Sequence, residues 1–495
     1  MRQESAPSVA LQPIFHAVET AEDKIFWRHY INRLSNVLTV EGDQGNAYKD
    51  ILLHLANQHE SLMHSILAVS SAHLDLDSPE GSKVLQLNPT TTKESLQERS
   101  QHHQGEAFSR LYKDCSIGFD TDDPEHQTVL AARYGQILCQ LLQTLVEGNQ
   151  DGQHRMHLRV YQTLMHASPP QNEAFHAFIT EFFQYHIFAD DLLWHPDLAS
   201  PRLVLVNTLE TGMNVYPQRL LGVGDGLFRY MAEINTIRNS VRRNLAAGVD
   251  PAVNYNDLYE AARIDTDLRN WSPTWPQGDS RAQAASLYRM VLWVYLHRTI
   301  YPFVLGQQTR RPSETSPPII QPTIINGIVA PEQQQPPTIQ RRQSTAGIMP
   351  THTIASPSSS SSNGPPTRSS SMHEQDTRRP PSPPPSRRPS QDSQRLIIMV
   401  AESLDKLDKF AEDDPVQTLL LIPCLILGTS CVEAAQHERI RAAVRNVRGY
   451  TGLRTCDRVL ELLEEIWNLM ERQHWAAVWD WQGTARRMGL DFLCT

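Results

Sequence analysis

Histidines set among carboxylates are where this chain could do metal or acid–base chemistry, and the densest group is His59-Glu60-Ser61-Leu62-Met63-His64. A hydrolytic zinc helix spaces its two histidines four residues apart, because four residues return to within about 40° of the starting direction and both rings then reach one ion. Here the spacing is five, which puts the rings about 140° apart on a helix. One helix therefore cannot bring His59 and His64 to the same ion. His102-His103 and the pair His154 and His157 come with no cysteine or carboxylate frame in the sequence, and read as polar-face or capping residues. Gly222, Gly224 and Gly226 misplace the third glycine of a dinucleotide turn, and no Gly-Lys-Ser/Thr follows them, so they read as turn residues. There is no Gly-x-Ser-x-Gly elbow and no paired-carboxylate motif. No catalytic residue, metal ligand or cofactor site is expected, and no enzymatic activity.

Modification is the chemistry that the residue pattern does favour. Arg310-Arg311-Pro312-Ser313, Arg341-Arg342-Gln343-Ser344 and Arg387-Arg388-Pro389-Ser390 repeat two arginines, a spacer and a serine. Basophilic kinases select this arrangement because acidic pockets pair with the arginines, so Ser313, Ser344 and Ser390 are candidate phosphorylation sites. Chance recurrence in an Arg- and Ser-rich stretch is the competing explanation. Each phosphate would add about −1.5 to −2 charge beside a basic pair.

The three motifs lie in the stretch from Gly306 to Gln394, which holds a polyserine run from Ser358 to Ser362, roughly half of the 33 prolines and few large apolar residues. Such a segment cannot bury enough surface to offset the entropy of ordering it, which predicts a disordered insertion. It carries nine arginines against five acidic residues, so the net charge of −10 leaves about −14 on the rest of the chain. An acidic body argues against a direct grip on nucleic acid, which needs clustered Lys and Arg. The six cysteines are dispersed from Cys115 to Cys494, with no Cys-x-x-Cys pair, and read as reduced, buried thiols. The opening MRQESAPSVALQPIF has no basic start followed by an apolar core, so no secretion signal or membrane anchor is expected.

The remaining sequence reads as helices. Ile25, Phe26, Tyr30, Leu34 and Val37 fall at helical spacing, and two apolar helices follow between Tyr48 and Leu76, separated near Asn57 to Ser61. Ser78 to Ser95 reads as a polar loop, and a helix restarts at Leu96. Leu130, Tyr134, Ile137, Leu138, Leu141, Leu142 and Leu145 form a strong amphipathic series that stops at Glu147-Gly148. Phe178, Phe182, Phe183, Tyr185 and Phe188 line a helix over 173–193 and read as core. Helices follow over 255–271 and 282–303, the second apolar nearly all round and therefore buried. After the insertion they resume from Leu396. No strand-period run appears, so the ordered parts read as all-α.

The most apolar stretch, Thr418 to Val447, reads as one buried helix kinked at Pro423, with Leu419 to Leu427 far short of the roughly 20 residues that span a bilayer. Its run of Pro423, Leu425, Ile426, Leu427, Gly428 and Glu433-Ala434 resembles the regulatory (middle homology) domain of fungal-specific zinc-cluster transcription factors. So do Ser70-Ser71-Ala72 before His73-Leu74, Leu220-Leu221-Gly222 ahead of the helix bearing Ile234 and Ile237, and the ending with Ile466-Trp467 and Met488-Gly489-Leu490. The family usually has a tryptophan before the proline, where Ile422 stands here. The resemblance covers Asp23 to Phe303 and Leu396 to the terminus. It implies one helical array in which the Thr418–Val447 stretch contacts residues before Phe303, with a flexible tail over 1–22, helical parts over 23–305 and 395–495, and the insertion over 306–394 between them.

The resemblance further implies a nuclear transcription regulator. Members usually carry six closely spaced cysteines that hold two zinc ions and contact DNA, and no such group occurs in this chain. Either the DNA-binding end was lost or lies outside this chain, or the protein acts through partners, which would be the transcription machinery or a DNA-binding protein, with no membrane partner; a small-molecule effector and homodimerisation stay open. A helical scaffold or adaptor unrelated to transcription is the alternative.

Overall fold

A computed structural model describes residues 15–41, 45–115, 124–203, 220–224, 226–301 and 391–495. The described residues on both sides of 302–390 belong to one compact unit, and a second unit, Arg311–Arg388, lies outside the described residues. Most of the expected tail and insertion falls there too. Among the described residues the structure is all-α and no strand forms; one isolated parallel bridge pairs Asp151 with Asp491.

Two buried helices organise the packing. Glu60–His73 is covered by Lys93–Cys115, by Pro124–Glu147 and by the first helix, Ala21–His29. Its sequence alternates large apolar side chains with serines, and Leu62, Met63, Ile66, Leu67 and Val69 are all buried. Three of its serines survive burial because their hydroxyls find a nearby acceptor or partner: Ser65 donates to the Ser61 carbonyl, Ser70 to the Phe26 carbonyl at 2.6 Å, and Ser71 pairs with Ser100 at 2.7 Å. Ser280–Ile300 is the second centre. It packs against Leu227–Ala246, Tyr255–Asn270, Gln391–Leu407 and Leu421–Gly428. Between the centres runs Glu173–Leu193, whose five expected aromatics are buried; Tyr161 stacks on Phe183 with centroids 4.0 Å apart.

Thr418–Val447 is not one kinked helix. Pro415–Leu419 forms a 3₁₀ turn, Leu421–Gly428 a short helix and Ala434–Thr451 a separate one. Pro423 lies in the first turn of the short helix, where its missing N–H has no intrahelical acceptor to serve, so it starts a helix instead of bending one. The stretch is buried from Val416 to Cys431. Tyr288 Oη donates to the Leu419 carbonyl at 2.6 Å, and Thr418 Oγ1 to the Val37 carbonyl at 2.8 Å. Residues far apart in sequence thus close one core.

The polar loop expected over Ser78 to Ser95 contains a helix, Pro79–Leu87. Ser78 caps it by accepting from the Gly81 N–H at 3.0 Å, and Pro79 occupies its first turn. Gly226 adopts a left-handed φ of 77° before Leu227–Ala246, as a turn residue does.

Gly452 ends Ala434–Thr451 with φ of 71° and donates its N–H to the Arg448 carbonyl at 2.9 Å. A Cβ there would run into the His73 ring at the end of the other half's central helix. Gly452→Ala is therefore expected to lower unfolding stability by about 1–3 kcal/mol, through the left-handed backbone and the clash together. Urea titration followed by tryptophan fluorescence measures it, and an unchanged midpoint would contradict the close approach.

Candidate functional site

The first helix begins at a capping box. Thr20 accepts from the Asp23 N–H, and the Asp23 carboxylate reaches back to accept the Glu19 and Thr20 N–H groups at 2.9 Å each. Asp23 is fully buried and takes two further cationic or polar donors from Lys93–Cys115: Arg99 through Nε at 2.6 Å and Nη2 at 2.9 Å, and His103 through Nε2 at 2.8 Å. Burial pushes the carboxyl up, but the hydrogen bonds from His103, Arg99 and the backbone outweigh it and hold Asp23 well below the usual carboxylate range.

A carboxylate only accepts, so His103 carries its proton on Nε2 and leaves Nδ1 bare. His64 Nδ1 lies 2.9 Å from that nitrogen and donates to it. The opposite nitrogen of His64, Nε2, faces Glu60 Oε1 at 3.7 Å. Arg110 joins Glu60 to Glu106, with Nη1 2.9 Å from Glu60 and Nε 2.9 Å from Glu106. Burial holds His64 down to about 4 and also lowers His103 against the pull of Asp23, so both rings are neutral at pH 7. His102 lies beside them, its ring centroid 5.9 Å from that of His64 and 5.4 Å from that of His103. One nitrogen from each of His64, His102 and His103 lies within 4.8 Å of the others, with His102 exposed and the other two buried.

The two histidines of the opening motif do not meet in this group. His59 precedes the helix in extended conformation, whereas His64 points from inside it toward the helix over 93–115. The absence of a carboxylate frame, expected for His102-His103 and His154, is corrected by long-range contacts. Asp23 frames His103, and Asp190 accepts from His154 Nε2 at 2.9 Å. Neither carboxylate is near its histidine in sequence, so local spacing carried no sign of it. Cys139, Cys424, Cys431, Cys456 and Cys494 are free, buried thiols, each raised above its ordinary range by burial. Ser313, Ser344 and Ser390 lie outside the described residues.

Two other features join distant parts of the chain. Arg238, buried in Leu227–Ala246, donates Nε to Gln482 Oε1 at 2.7 Å and lies over Trp479 at 4.5 Å from the ring centre; burial lowers it to about 10. A cleft of about 790 Å³ opens between helices, with Ile51, Leu55, Ala131, Pro170 and Phe175 among its lining and Asp50 and His54 at its polar side. No helix among the described residues is long and apolar enough to cross a membrane.

No curated protein and no solved structure matches the chain. The family profile described as the fungal specific transcription factor domain matches residues 24–321 and 377–495. Those ranges contain every helix described above except the first residues of Ala21–His29. The chain belongs to the family of the fungal specific transcription factor domain.

Proposed function

We propose that this chain regulates transcription in the nucleus through its helical domain, and reaches promoters by way of a DNA-binding partner, not by a zinc cluster of its own residues. The family match across both helical parts is the observation that supports it. The six cysteines are too widely spaced in sequence for a two-zinc cluster, and a net charge of −10 disfavours a grip on nucleic acid by the chain alone. A small-molecule effector would find apolar walls in the cleft beside Phe175.

Fusing the chain to an unrelated DNA-binding domain is expected to change the output of a reporter carrying that domain's site. Deleting the gene is expected to alter transcript levels. Sequence-specific promoter binding by the purified chain alone would overturn the partner requirement. A purely cytosolic protein whose loss leaves transcripts unchanged would favour the scaffold reading.

Regulation by phosphorylation extends this reading. Unmodified, the Gly306–Gln394 stretch carries about +4 against a body of about −14 and is attracted to it. Three phosphates at about −1.5 to −2 each would cancel that attraction. Phosphopeptide mapping is expected to find at least one of Ser313, Ser344 and Ser390 modified, and scattering of the unmodified protein to show compaction that salt relieves. All three serines unmodified across growth conditions, or compactness indifferent to salt, would overturn it.

A further inference from the structure

We propose that His64, His102 and His103 bind one divalent transition-metal ion of the zinc class, clamping the Glu60–His73 and Lys93–Cys115 helices together. Three imidazoles already converge from two helices, each offering a nitrogen within 4.8 Å of the others. Neutral imidazole is a preferred ligand for zinc, cobalt, nickel and copper.

The facing nitrogens of His64 and His103 are close to ligand spacing. Bonds of about 2.0–2.1 Å in tetrahedral geometry would hold two nitrogens about 3.3 Å apart, against the 2.9 Å of the present hydrogen bond. Small rotations of two rings supply the difference. The proton between them has somewhere to go: His64 changes tautomer, losing the proton at Nδ1 and gaining one at Nε2, where Glu60 Oε1 is 3.7 Å away. Both rings stay neutral, and only the ion's charge is added.

Carboxylates stand behind both rings, as they commonly do behind histidine ligands of zinc. Asp23 fixes the His103 ring through Nε2 at 2.8 Å, and Glu60 stands 3.7 Å from Nε2 of His64, within reach of a small side-chain rotation. The surrounding charges are three acidic groups, Asp23, Glu60 and Glu106, against two cations, Arg99 and Arg110, which leaves an excess negative charge for a cation to neutralise. As the exposed member, His102 gives the ion a route in and leaves the fourth position to water.

The test uses the full chain stripped of metal and titrated with zinc chloride alone. Calorimetry is expected to find one ion per chain with a Kd of about a micromolar or tighter, and zinc to raise the thermal midpoint by a few degrees. His102→Ala is the chosen variant because its side chain is exposed: the metal-free midpoint stays at the wild-type value, while affinity falls at least about tenfold and the same zinc concentration raises the midpoint by less than in the wild type. Cobalt(II) in place of zinc is expected to give the visible bands of a tetrahedral nitrogen and oxygen site. Absence of stoichiometric binding, wild-type affinity in His102→Ala, or a thiolate-to-cobalt charge-transfer band that moves the ion to the cysteines would each overturn the assignment.

Discussion

Asp23→Ala is expected to destabilise the metal-free chain by about 3–5 kcal/mol, the range for removing one partner from a buried charged network. The carboxylate caps the start of the first helix, anchors the Arg99 fork and fixes the His103 tautomer, so one substitution leaves three sets of donors without an acceptor. Arg99 is partly exposed and can turn toward water. His103 is fully buried and cannot, which leaves its Nε2–H unsatisfied. Asp23→Asn keeps the volume and one acceptor oxygen, and is expected to lose less than the alanine variant because backbone capping persists while the pairing with Arg99 is weakened. Urea unfolding of both variants at pH 7 checks the order. A loss below about 1 kcal/mol for Asp23→Ala would mean that the carboxylate acts only as a helix cap.

Acidification between pH 6.5 and 4 is expected to unfold the domain before its carboxylates titrate. His73 donates Nε2–H to the Thr451 carbonyl at 2.8 Å and accepts from His29 at 2.8 Å, which joins the first helix to the end of Ala434–Thr451. Burial lowers His73 to about 4, against the Thr451 hydrogen bond and with Arg33 and Arg448 adding to the effect. Burial likewise lowers His29 to about 3, with His73 and Arg33 beside it, and His186 to about 4, with His154 beside it. A histidine with a depressed folded value binds its proton first in the unfolded chain. Its contribution is complete above about pH 6.5 and is lost as pH falls through the folded value. A displacement from about 6.5 to about 4 in a buried ring corresponds to on the order of 3 kcal/mol. Urea midpoints should stay nearly level from pH 7.5 to about 6.5 and then fall down to pH 4.5, with a slope showing uptake of more than one proton on unfolding. A flat profile across that window would show that these rings are hydrated in the folded state.

The helices of this protein were legible because burial leaves a period in the sequence. Glu173–Leu193 and the series from Leu130 to Leu145 declare a helix and its inner face by residue spacing alone. The polar run after Ser78 has no such stripe, so its helix could be found only through the Ser78-Pro79 start signal. Pro423 was ambiguous for a related reason. The same residue bends a helix from within and begins one from the first turn, and tertiary packing of the Val416–Cys431 stretch decided where the turn began.

The family was also written in short apolar and small-residue motifs, and composition alone set the Pro/Ser-rich stretch apart. The histidine group was not written anywhere locally. The five-residue spacing from His59 shows no partner for His64 on its own helix, whereas His103 reaches it from a second helix and is itself held by Asp23 from a third. Spacing along one helix fixes which side chains share a face, and so it decides helix content and core. Which faces meet depends on how helices distant in sequence pack, and only that packing brought three imidazoles together and set a buried carboxylate behind one of them.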